Sequence, residues 1–203
     1  MKKPSTFARI RALTSLQQIV FNQMLIERML PNYQLFSEIS EQGDYKVLHH
    51  ANELIWQRVY NSKFKIDINL QQEKVEQQIP QQAESDSIGL YAAIDAGMAL
   101  VANLSLLAKD NEFKNKEVTL PSLLSQATIE RLLITTAEVE HSQEALQHPH
   151  MMWEIETQNE FLDEVEKINK FDKAKCQQLR KLAKQEGVTN LGIEIESSDM
   201  TAE

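Results

Sequence analysis

Asp95 has the most unusual surroundings of any ionisable residue in this sequence. It lies in a stretch from Ile88 to Ala108 whose only other polar side chains are Asn103 and Ser105. An isolated carboxylate in a protein core is strongly unfavourable, so it must be paired, hydrogen-bonded or protonated. The sequence therefore predicts that Asp95 has a specific partner.

Two arginines are candidate partners of Asp95: Arg28, which follows Glu27, and Arg131. A structural ion pair with one of them is the simpler interpretation. The alternative is an internal site for a small ligand, lined by Asp95, Glu27, Arg28 and Arg131, in which the acid has a raised pKa.

A second pattern, Glu138 followed three residues later by His141, places a carboxylate and an imidazole on one helix face. Carboxylate-bridged metal pairs in helical bundles use this spacing twice, on two helices. The sequence contains no second copy; His50 with Glu53 gives the same spacing in reverse. These four residues are the predicted metal ligands if a metal site exists, but half a motif arises easily by chance, and no cofactor is predicted.

Other reactive side chains give weaker signals. Cys176 lies among lysines and arginines that would lower a thiol pKa if it were exposed, but helical spacing places it beside Leu179, on a buried face. His148 and His150 flank a proline, in a predicted surface loop. The sequence contains no nucleophile elbow, phosphate-binding loop or dinucleotide-binding glycine motif. Most familiar enzyme classes therefore lack support, and whether the protein is an enzyme stays open.

The composition indicates an all-α protein of the cytoplasm. Only five glycines and five prolines in 203 residues leave little material for the tight turns of an all-β fold. The formal net charge of −9 argues against non-specific nucleic-acid binding. A single cysteine excludes an intrachain disulfide framework, and the amino end lacks the continuous apolar run of a signal peptide.

The apolar stretch predicts a central helix at about residues 86–108, surrounded by other helices, because a helix that is apolar on all sides must be buried. Its length would suffice to cross a bilayer. Its many alanines and its central aspartate are unfavourable in a membrane, and no aromatic belt flanks it. We therefore expect one helical domain over residues 1–203, with no membrane contact.

Capping residues and prolines predict the surrounding helices. A first helix begins near Ser5 or Thr6, and Pro31 should end or kink it and start a short second helix that reaches about Glu41. Asp44 should cap a third helix. Further helices are predicted at 69–78, from about 120, at 151–169 and at 172–186. The last two carry opposite charges, which suggests that they lie antiparallel to each other.

Two short segments alternate apolar and polar residues in the manner of strands. They are KFKIDI, residues 63–68, and LGIEIE, residues 191–196. Because a lone strand is not stable, the pattern predicts a small two-stranded ribbon between them, within one chain or between two.

Several stretches together resemble a known bacterial family, the YjaG-like proteins, which are classed as a domain of unknown function. The matching stretches are Gln18–Tyr33, Leu54–Trp56, Glu73–Pro80, Ile88–Leu100 and Thr189–Ile195. The sequence departs from the family at Ala92, where a Tyr-Pro-Ala-Ile-Asp pattern is usual. The resemblance implies a bacterial, all-helical protein and supplies no reaction, ligand or catalytic residue.

Two functions fit these observations. The first is a non-catalytic cytoplasmic helical protein that acts by association with a partner or with itself, as a homodimer, through its apolar and methionine-rich helical surface. The second is a small-ligand or metal-binding protein, with or without enzymatic activity, that has an internal acidic site around Asp95.

Overall fold

The computed structural model describes residues 4–81, 87–108 and 117–195. This part of the chain is helical and contains no strand, which confirms the predicted all-α class. The helices are α1 (Thr6–Ala12), α2 (Ser15–Ser40), α3 (Tyr45–Tyr60), α4 (Ile68–Glu76), α5 (Ile88–Leu106), α6 (Leu120–Thr135), α7 (Ser142–Ala145), α8 (Pro149–Glu166) and α9 (Lys173–Ala183).

Helix α2 forms the centre of the molecule and packs against α3, α5, α6, α8 and α9. Every residue from Gln17 to Tyr33 is buried except Pro31. The expected break at Pro31 is wrong, because α2 continues through it to Ser40. An interior proline costs about 3 kcal/mol in an isolated helix. Burial of the surrounding side chains on five neighbouring helices outweighs this cost.

Helix α5 corresponds to the predicted central helix and packs against α2, α3, α4 and α6. Ser87 caps it, since its hydroxyl accepts a hydrogen bond from the Leu90 amide at 3.2 Å, while the predicted start at residue 86 lies outside the described residues. By length and composition α5 could cross a bilayer, but most of it is buried inside the molecule. This packing accounts for its apolar sequence.

The predicted ribbon between residues 63–68 and 191–196 is wrong. Asp67 caps α4 by accepting a hydrogen bond from the Leu70 amide at 3.0 Å, so Ile68 is the first residue of a helix. The second segment folds back on its own chain, with a single antiparallel bridge between Val188 and Glu194, while residue 196 lies outside the described residues. A local helix cap and a local turn therefore outweigh the alternating pattern.

The sequence suggested that the acidic helix α8 and the basic helix α9 pair with each other through their charges. In the described residues these two helices form ion pairs with other helices instead. Arg9 of α1 binds Asp163 and Glu166 of the acidic helix α8. The basic helix α9 packs against α2 and α3 instead. Arg180 of α9 therefore binds carboxylates that lie far away in the sequence, those of Glu27 and Glu53.

Candidate functional site

Asp95 is paired with Arg131, one of its two predicted partners. Its Oδ2 accepts a hydrogen bond from the Thr128 hydroxyl at 2.6 Å and lies 3.3 Å from Nη1 of Arg131. The Arg131 guanidinium stacks on the Tyr91 ring at 4.1 Å. Burial raises the pKa of Asp95, and the contacts with Thr128 and Arg131 oppose this effect. The acid thus links α5 to α6.

Arg28, the other predicted partner, binds Glu154 of α8 instead. The Arg28 Nη1 and Glu154 Oε2 atoms are 2.6 Å apart, and the two side chains are 2% and 0% exposed. The other carboxylate oxygen accepts hydrogen bonds from Ser125 at 2.7 Å and from Gln158 at 2.8 Å. The Arg28 guanidinium also lies over the Trp153 ring, 4.7 Å from its centroid. This ion pair joins α2 and α8.

Asn190 extends the Arg28–Glu154 cluster to the carboxyl-terminal segment. Its side chain donates to the Ser125 hydroxyl at 3.0 Å and accepts from the Asn32 amide at 2.8 Å. Its carbonyl oxygen lies 3.1 Å from Nε2 of His150. The contacts of Asn190 attach the segment after α9 to α2, α6 and α8.

Glu27 lies in a separate buried cluster between α2, α3 and α9. Asn52 and Trp56 each donate to Oε1 at 2.8 Å, and Arg180 and Lys184 of α9 lie 3.0 and 2.8 Å from the carboxylate oxygens. Burial alone would raise the pKa of Glu27, but the charges of Lys184 and Arg180 lower it overall. No local sequence pattern indicates the two cationic partners, Arg180 and Lys184, which lie more than 150 positions from Glu27.

The predicted internal ligand residues therefore belong to three different contacts. Asp95 and Arg131 form one pair, whereas Arg28 and Glu27 lie in two other clusters with other partners. Each buried carboxylate has at least one cation beside it. A ligand role for these four residues stays a prediction.

The predicted metal ligands lie in different surroundings. Glu138 is 3.4 Å from Nε2 of His148, Glu53 binds Arg180, and His50 is exposed. His141 precedes the short helix α7. Within residues 4–81, 87–108 and 117–195, no three His, Cys, Asp or Glu side chains form a group that could hold a metal ion. The structure thus does not bring these four residues together.

Cys176 is buried, as its helical spacing predicted. Burial and the nearby charge of Asp172 raise its pKa to about 11, against a smaller opposing effect of Arg180. A thiol with this pKa stays protonated near neutral pH and is a poor nucleophile.

Exposed apolar surface lies along α5 and α6, which run antiparallel, since Tyr91 contacts Arg131 and Asp95 contacts Thr128. An open groove of about 260 Å³ is lined by Ile79, Met98, Val101, Ala102 and Leu120, with Glu76, Ser105 and Glu117 at its polar positions. One turn beyond Leu120, the outer face of α6, formed by Leu123, Ala127, Glu130 and Ile134, continues this surface. Leu123 is 51% exposed and Ile134 is 41% exposed.

Known proteins are similar to this chain over nearly its whole length. The family model described as "Protein of unknown function (DUF416)" matches residues 5–194. An uncharacterised protein of Haemophilus influenzae is 31% identical over 189 residues, 92% of this chain and 95% of that protein. The uncharacterised protein YjaG of Escherichia coli is 31% identical over 187 residues, 91% of this chain and 94% of YjaG.

A solved structure gives the same result at the level of the fold. The crystal structure of a DUF416 family protein from Shewanella baltica matches with a TM-score of 0.85 and 33% identity, and the match covers 95% of this chain and 100% of that one. The resemblance to the YjaG-like proteins is thereby confirmed. The chain belongs to the DUF416 family, whose function is unknown.

Proposed function

We propose that this protein is a non-catalytic, cytoplasmic helical protein that acts by self-association. The observation that carries this proposal is the outer face of α6, which presents large apolar side chains to water. Together with the adjoining groove lined by Met98, Val101 and Leu120, this face forms exposed apolar surface of the kind that is typical of protein–protein contact sites.

The arrangement of the buried charges also supports a structural rather than a chemical role. Asp95, Glu27 and Glu154 each contact a cation and hydrogen-bond donors of neighbouring helices. Side chains engaged in this way hold helices together and are poorly placed to take up a proton from a substrate.

Light scattering during size-exclusion chromatography tests self-association. We expect a mass of about twice the 23.3-kDa chain at micromolar concentration, falling toward one chain on dilution. A mass of one chain at every concentration up to about 100 μM, well above the dissociation constants of stable dimers, would contradict the proposal.

A further inference from the structure

We infer that the partner is a second copy of this chain and that the two copies pair through α6, antiparallel, about a twofold axis near Thr128 and Ile129. This inference rests on the proposed self-association and adds the contact surface and its register. It follows from the composition, the charge and the symmetry of α6.

Helix α6 carries large apolar side chains on its outer face as well as on its inner faces. Pro121, Ser125, Ile129 and Leu133 are buried against the rest of the molecule, as expected of any packed helix. The outer face still carries Leu123 and Ile134. Large apolar side chains on the solvent-facing side of a helix are typical of a further contact surface. Within the described residues, neighbouring helices cover only the inner side of α6.

Charge favours this face for contact between identical chains. Each chain carries a formal net charge of −9, so most surfaces of two copies repel each other. The neighbouring helix α8, for comparison, carries six carboxylates and no lysine or arginine. The only charged residues of α6 are Glu130 and Arg131, which cancel. Two copies therefore repel each other less along α6 than along an acidic helix such as α8.

The outer face of α6 is also self-complementary. Leu123 and Ile134 are equally far from the midpoint between Thr128 and Ile129, and so are Ala127 and Glu130. An antiparallel pair centred there places Leu123 against the partner's Ile134 at both ends. The small side chain of Ala127 leaves space at the centre. Glu130 of one copy then lies within about one helical turn of the partner's Arg131, and a twofold axis repeats the contact.

The α6 pair would also cover neighbouring apolar surface. A stable interface buries about 800 Å² on each partner, more than one helix face provides. The exposed side chain of Met98 on α5 and the groove beside Leu120 adjoin the outer face of α6 and extend the contact.

Glutamate substitutions test the contact surface. Sedimentation velocity over a concentration series should show that Leu123→Glu and Ile134→Glu each raise the dimer dissociation constant by about 30-fold or more, since each buries a charge in the contact. Leu70→Glu on α4 is the matched control, because Leu70 is 43% exposed and lies outside the face. Circular dichroism at a concentration below the wild-type dissociation constant, where association adds no stability, should show the same melting temperature for all three variants and the wild type.

Paired cysteines test the register. The double variant Leu123→Cys with Ile134→Cys should form a covalent dimer under mild oxidation, whereas each single variant should stay monomeric on a non-reducing gel. A dimer that both glutamate variants leave intact would overturn the α6 contact but not self-association. Crosslinking of a single variant would overturn the antiparallel register. A monomeric wild type would overturn both the α6 contact and self-association, and the outer face of α6 would then be a contact site for a different protein.

Discussion

Arg28 and Glu154 form an ion pair that is almost completely shielded from water. At the scale of single residues, such pairs explain how this fold accommodates charge on its central helix. Sequence reasoning identified Asp95 as a residue that needs a partner and named Arg28 and Arg131 as the two candidates, of which Arg131 is the partner in the structure. It missed Glu154, because one carboxylate among six on an acidic helix gives no sign that it is buried.

Removing one member of the Arg28–Glu154 pair should be costly, because the remaining charge stays buried without compensation. We expect Arg28→Met to lower the free energy of unfolding by about 3–5 kcal/mol, as measured by urea denaturation. The substitution Glu154→Gln keeps an acceptor for Ser125. The double variant Arg28→Met with Glu154→Gln should lose at least about 1 kcal/mol less unfolding free energy than the sum of the losses in the two single variants. Strict additivity would show that the two side chains do not interact.

The pKa of Glu27 predicts a specific dependence of stability on pH. It is lower in the folded protein than the ordinary value of 4.5, so the folded state favours the ionised form. The contribution of Glu27 to stability is therefore complete above about pH 4.5 and is lost as the pH falls through the folded-state pKa. Glu27→Gln should destabilise the protein most near pH 7, and the difference from the wild type should shrink on acidification.

Asp95 provides a control, because its contribution to stability changes with pH in the opposite direction to that of Glu27. Its pKa is raised above 3.8 in the folded protein, so its ionisation opposes folding and its favourable contribution is lost as the pH rises through the folded-state pKa. The difference in unfolding free energy between the wild type and Asp95→Asn should therefore change with pH in the opposite direction to that of Glu27→Gln. Equal slopes for the two variants, in urea titrations between pH 3 and 7, would contradict these assignments.

At the scale of helices, long-range burial in one case and local capping in another decided the elements that sequence patterns predicted wrongly. Asp44 caps α3 as expected, and the predicted helices near 120, 151–169 and 172–186 are present. Pro31 and the alternating residues 63–68 gave the wrong result because burial and a helix cap outweigh local propensity. The contacts that bury α2 join residues far apart in the sequence and leave no periodic signal.

Gly97 of α5 lies very close to Ile79, in the segment that follows α4. A Cβ atom at this position would lie 2.6 Å from Cγ1 of Ile79, closer than two carbon atoms can pack. Gly97→Ala should therefore destabilise the protein by about 1–3 kcal/mol through overpacking. In an Ile79→Ala background the same change should stabilise it by up to about 1 kcal/mol, because alanine favours helix.

Thermal denaturation of the four proteins of this Gly97–Ile79 cycle measures both effects. A loss of the same size in both backgrounds would show that Ile79 is not the group that requires glycine at this position.

At the scale of the whole molecule, the described helices pack around α2 and leave the outer face of α6, with Leu123 and Ile134, exposed in a chain of net charge −9. The family gives the fold and no activity, and the predicted metal ligands lie apart from one another. The sequence could not locate this face, because α6 carries apolar residues all around and only the fold shows which of them stay outside.

Hydrogen exchange followed by mass spectrometry at two protein concentrations tests the covered α6 face most directly. If the outer face of α6 is covered by a second copy, amides of Leu120–Thr135 should exchange more slowly at about 50 μM than at about 0.5 μM, concentrations that bracket a micromolar dissociation constant. Those of α3 should be unaffected. Equal exchange of α6 at both concentrations, or slowing confined to another helix, would contradict the account.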